Sequence, residues 1–133
     1  MRSYDIAVTS LVIEAPVKWT DNLLSQHQIP DVVSARRGVA RRIPHSTLVY
    51  LAVVRRLHHT LGLGARDAVR CTTLLLAGGG TCDAGVHEAG PITLSIDLAD
   101  IERQVDRRLQ EVLESAPAPR RGRPPKRAHL PEA

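Results

Sequence analysis

Residues 44–62 read PHSTLVYLAVVRRLHHTLG, and this run decides the fold. Leu48, Leu51, Ala52, Arg55 and His59 recur at spacings of three and four, so they share one surface of a helix. Leu57 and Leu61 widen the apolar stripe. Pro44 opens the helix, and Gly62 supplies the left-handed residue that ends it. The break LGLGA admits only a tight turn. A second helix follows over about 65–76, with Ala65, Ala68, Val69, Thr72, Leu75 and Leu76 inward. Arg66 and Arg70 form an i,i+4 pair on another side.

Upstream, residues 4–15 (YDIAVTSLVIEA) suit a short helix or a strand equally, because their period is ambiguous. Pro16 fits the first turn of a helix running from Val17 to His27. Pro30 stops it. Asp31 to Gly38 reads as a loop or hairpin arm with Arg36 and Arg37 at its tip. Val39 and Ile43 belong to a returning strand that carries Arg41 and Arg42. Downstream, Gly78, Gly79 and Gly80 end the second helix, and 78–90 reads as a flexible connection. Ile92, Leu94, Ile96 and Leu98 alternate with polar residues, a half-buried strand. Asp97 caps a last helix with Leu98, Ile101, Val105, Leu109 and Val112 along one face. After Ser115 the composition predicts a disordered basic tail.

The chain has 133 residues, 43% apolar and 2% aromatic, so aliphatic side chains pack the core of one ordinary domain. Formal net charge is +4, but its distribution matters more. Residues 1–35 carry two bases and four acids (−2); 36–70 carry eight arginines and Asp67 (+7); 71–116 carry three bases and eight acids (−5); 117–133 carry five bases and Glu132 (+4). Two basic blocks flank an acidic one, a pattern that attracts a polyanion to the blocks. No apolar run reaches a membrane span, and no secretory leader is recognisable. Cys71 and Cys82 form no disulfide framework and suit a reducing cytoplasm. No membrane partner is expected.

The order short helix, turn, helix, arginine-tipped arm, long helix, Gly turn and helix resembles the winged helix-turn-helix domain of the MerR-like family. The residues that carry the resemblance lie in 4–77. Asn22 to Pro30 (NLLSQHQIP) stand where the family's recognition helix ends. Gly38 to Ile43 (GVARRI) stand at the wing, with Ile43 in place of a tyrosine. Arg55-Arg56-Leu57 and Leu61-Gly62 match the third helix. The resemblance implies a winged helix-turn-helix with a short β-arm over 1–77; with the Gly-rich linker over 78–90, the strand and helix over 91–115 and the tail over 116–133 read from the residues, the fold is expected to be mainly α. It implies a transcription regulator bound to double-stranded DNA, cytoplasmic and nucleoid-associated.

The residue chemistry points the same way. Lys18, Asn22 and Gln26 share a helix face. Asn and Gln pair with adenine edges, and Lys reaches guanine or phosphate. Arg36 and Arg37 suit a narrow minor groove. Arg41 and Arg42 point to opposite faces of a strand, one toward phosphate and the other packed or paired within the protein. Trp19 is expected in the core. In the tail, Arg120 to Arg127 (RRGRPPKR) resembles an AT-hook, whose core is matched by Gly122-Arg123-Pro124; Arg121, Arg123, Lys126 and Arg127 are its candidate contacts, with A·T-rich DNA as partner.

Competing chemistry is weaker. Cys71, Cys82 and His87 lack the paired spacing of a zinc site. Gly78 to Gly80 lack the Lys-Ser/Thr of a phosphate loop. No nucleophile has a spaced His and acid, so an enzyme is not expected, nor any cofactor, metal or small-molecule effector. The 91–115 segment either joins two copies into a homodimer or folds back on its own domain. The rival function is a protein-interaction module, an antitoxin or a polymerase or phage-factor partner, built on the same fold.

Overall fold

A computed structural model describes residues 2–32, 40–87 and 90–115. Five helices and two small antiparallel sheets are formed among these residues: β1 (Ser3–Tyr4), α1 (Ile6–Val12), α2 (Val17–Gln26), β2 (Ile43–Pro44), α3 (His45–Leu61), α4 (Ala65–Ala77), β3 (Thr81–His87), β4 (Gly90–Ser95) and α5 (Leu98–Ser115). The fold is mainly helical. No helix among them is long and apolar enough to cross a membrane.

α3 is the central beam. Leu48, Leu51, Val53 and Val54 have no solvent exposure, and Val49, Tyr50 and Leu57 are also buried. Burial of one such aliphatic side chain contributes about 1.5–3 kcal/mol. α4 packs on one side of α3, and α1 and α5 on others. Gly62 ends α3 at φ 71°, where its N–H bonds the His58 carbonyl at 3.0 Å. That left-handed conformation is what a residue with Cβ resists.

The ambiguous N-terminal segment is helical. Asp5 caps α1, its carboxylate accepting from the Val8 N–H at 2.9 Å. The returning strand pairs with the N-terminus: Ser3 lies opposite Pro44 and Tyr4 opposite Ile43. The arm expected over 31–38, with its arginine tip, lies largely outside the described residues.

One expectation is corrected, and one open alternative is narrowed. First, residues 81–87 are not a loose connection. They form β3, antiparallel to β4, in register from Thr81 opposite Ser95 to His87 opposite Gly90, with an irregularity between Asp83 and Val86. The glycines are a turn at the end of α4. The Gly80 N–H bonds the Leu75 carbonyl at 2.7 Å, and its carbonyl accepts from the Ile96 N–H at 2.8 Å. Gly80 has φ 110°, and a Cβ there would lie 2.9 Å from the Ile96 carbonyl oxygen. Cys82, Ala84 and Val86 alternate with Thr81, Asp83, Gly85 and His87, but Ala and Gly are weak strand formers and only a small apolar set results, so the pattern is faint. Second, Ile101, Val105, Leu109 and Val112 of α5 are buried, and the helix packs on α1 and α3. The stripe read as an oligomerisation element is covered by the chain's own core; of the two alternatives, the fold-back is the one observed. The sequence specifies an apolar face but not its cover.

Candidate nucleic-acid interface

The α1–α2 pair is locked from within. α1 ends at Val12 with Ile13 as its cap, Glu14 turns the chain at φ 57°, and Pro16 precedes α2. Ser10 and Thr20, both buried, are joined by a hydrogen bond of 3.0 Å between their hydroxyls. Thr20 also donates to the Pro16 carbonyl at 3.2 Å, and Thr9 to the Asp5 carbonyl at 2.8 Å. These bonds satisfy hydroxyls that burial would otherwise leave without water, and they set the crossing of the two helices.

α2 therefore has a fixed inner and outer side. Thr20 and Leu23 are buried, with Trp19 and Leu24 half-buried beside them. Lys18, Asp21, Asn22, Ser25 and Gln26 are all exposed. Lys18, Asn22 and Gln26 drift only modestly around the axis at four-residue steps, so they form one outward stripe. Asp21 and Ser25 flank it. Among the described residues, none of the three stripe side chains is held by a side-chain hydrogen bond or ion pair.

Arg41 ties the chain that returns from the arm to this same helix. Its guanidinium pairs with the Asp21 carboxylate and donates to the Ser25 hydroxyl at 2.7 Å. Arg42 turns the other way, donating to the Ser3 hydroxyl at 3.1 Å and the Ser3 carbonyl at 2.7 Å, which clamps β1. The two arginines thus take opposite directions, and both have partners within the protein. Arg41 neutralises the one acid beside the stripe. Arg36, Arg37, Arg121, Arg123, Lys126 and Arg127 lie outside the described residues.

Sequence reading missed Asp21 and Ser25 as anchors. The available signal was an acid set between Lys18 and Asn22 on an outward face, which calls for a nearby cation. It also missed what holds Trp19. The ring lies beside His58, with centroids 5.4 Å apart, and the Arg55 guanidinium carbon is 5.0 Å from its centre. Arg55 belongs to the support of α2.

Among the described residues, no three His, Cys, Asp or Glu side chains gather into a group that holds a metal. Burial, then the neighbouring Cys71 and Asp83, push the Cys82 thiol up from its ordinary range, which disfavours the thiolate that a nucleophile requires. Comparison of the chain with protein-family models, curated proteins and solved structures finds no match.

Proposed function

We propose that the chain is a DNA-binding protein of bacterial type, a transcription regulator or a nucleoid architectural protein, built as a MerR-like winged helix-turn-helix. In this reading α1 and α2 are the helix-turn-helix, α2 enters the major groove, and residues 31–42 are the wing. The observation that carries the reading is the outward stripe Lys18–Asn22–Gln26, joined through Asp21 and Ser25 to Arg41 at the root of the arm. A duplex lying on that stripe would pass beside Arg41, where the chain returns. The tail, with its Gly122-Arg123-Pro124 core, adds minor-groove affinity at a high effective concentration. Two copies on an inverted repeat would double the contact; with the α5 stripe covered within the chain, pairing would use another surface.

The test is duplex binding across a salt series, followed by selection from a random-sequence pool with and without residues 117–133. Affinity falls steeply with salt if phosphates are contacted. Asn22→Ala with Gln26→Ala relaxes the selected sequence, each lost bidentate contact being about 1–3 kcal/mol of discrimination. Loss of the tail weakens A·T-rich probes most. Salt-insensitive, weak binding supports the second reading, a protein-interaction module. Asp21 beside the stripe, and the internal engagement of Arg41 and Arg42, favour that reading.

A further inference from the structure

We propose that the cavity between α1, α3 and α5 binds a small polyanion, a compound with two or more carboxylate or phosphate groups. The cavity measures about 260 Å³, at the small end of ligand pockets. Val12, Ile13, Ile101 and Val105 give it an apolar base; Arg55, Arg56, His59 and Arg108 give it cations; Glu14 is the one carboxylate in its lining.

Among the described residues, Arg55 and Arg56 have no carboxylate partner. Arg55 rests on Trp19, a neutral ring. Arg56 donates to the Gln104 side-chain oxygen at 2.7 Å, and that amide is tied in turn to Asp100 at 2.6 Å. Arg108 is the more engaged cation: it donates to the Leu11 carbonyl at 3.0 Å and to the Glu111 carboxylate at 3.4 Å, and its Nε stands 3.8 Å from the Glu14 carboxylate. Its Nε is shut off from solvent and has no hydrogen-bond acceptor among the described residues. A buried donor without an acceptor is costly. Each guanidinium offers five N–H groups in a planar fork suited to carboxylate or phosphate, so most of these donors are unused. Three such forks from two helices around an apolar base, with one exposed acid, form a receptor for an anion of more than one charged group.

Arg55 touches both the cavity and the only tryptophan, so occupancy has an optical reporter. The inference does not rest on the DNA reading. The full chain is titrated with sodium citrate and, separately, with sodium pyrophosphate, against sodium chloride at matched ionic strength. Trp19 fluorescence and calorimetry are recorded. Saturable binding of at least one probe, with Kd below about 1 mM, is expected; which probe binds tighter separates the carboxylate from the phosphate class. Arg56→Gln, at an exposed position, weakens it about tenfold or more with an unchanged melting temperature. Arg108→Lys, which keeps the charge but loses the fork, weakens it as well. No saturation beyond the chloride control overturns the proposal, as does wild-type affinity in both variants. Failure of both anions to saturate, with a parallel loss of duplex affinity in Arg56→Gln, overturns it by making the cavity a contact for backbone phosphate.

Discussion

The guanidinium carbon of Arg55 lies 5.0 Å from the centre of the Trp19 ring, linking the middle of α3 to the inner side of α2. A partly shielded cation over an indole contributes about 0.5–1 kcal/mol, and the aliphatic stem adds packing. Arg55→Ala is therefore expected to lower unfolding free energy by about 1 kcal/mol and to shift Trp19 emission toward the red. Arg55→Lys recovers part of the stability but less of the stacking. Denaturant titration read by fluorescence checks both. An unchanged midpoint in Arg55→Ala would mean that the stack holds nothing in place.

Arg41 and Asp21 make a different kind of contact. The pair is partly exposed, so its own contribution to stability is small, within about 0–1 kcal/mol. Its electrostatic effect is the larger one, because Asp21 sits beside the proposed reading stripe. Asp21→Asn removes a negative charge there and releases Arg41. Duplex affinity is expected to rise about two- to fivefold at low salt, and the salt slope to steepen by about one phosphate contact. Stability changes little. Identical slopes for the variant and wild type would take α2 away from the phosphate backbone.

The two predictions also mark how far the chain was legible. α3 was readable end to end, because Leu48, Leu51 and Leu57 keep a helical period and Gly62 closes it. α5 was readable for the same reason, and Asp97 caps it as expected, accepting from the Asp100 N–H at 3.0 Å. The outward exposure of Lys18, Asn22 and Gln26 followed from spacing alone. What spacing does not contain is the partner across space. Arg41 meets Asp21 twenty positions away, and Arg55 meets Trp19 thirty-six away. Those pairings exist only once α1, α2 and α3 have crossed. β3 was hard to read for a related reason: the alternation of Cys82, Ala84 and Val86 is short and weakly apolar, and the pairing with β4 is irregular between Asp83 and Val86.

Tyr50 gives a pH prediction. Its ring is buried on α3, and its hydroxyl donates to the Val69 carbonyl at 3.1 Å and shares a 2.8 Å hydrogen bond with Thr73 on α4. Burial pushes its pKa up from the ordinary 10.0, partly offset by the Thr73 bond. The folded state thus prefers the neutral phenol. Its contribution is complete below the unfolded pKa and is lost as pH rises through the higher folded one. Stability should therefore fall from about pH 10 upward. Tyr50→Phe is expected to cost about 1 kcal/mol at neutral pH, from the lost hydrogen bonds, and to flatten the alkaline loss. Denaturant midpoints at neutral and strongly alkaline pH measure both. An equally steep alkaline fall in Tyr50→Phe would assign it to other groups.

The α5 stripe makes the sharpest prediction about assembly. Leu109 is 7% exposed and Val105 3% exposed, and both face the chain's own α1 and α3 layer. Arg108 binds the Leu11 carbonyl and His45 binds Asp106 at 2.5 Å, so polar contacts fasten α5 along both flanks of its apolar face. Truncating a buried leucine costs about 2–5 kcal/mol. Leu109→Ala is thus expected to lower the melting temperature by the same amount at every protein concentration, and to leave the mass measured by light scattering unchanged. A helix whose stripe joined two copies would behave otherwise. Its truncation would lower the mass, and the loss of stability would depend on concentration, because mass action links folding to association in an obligate dimer.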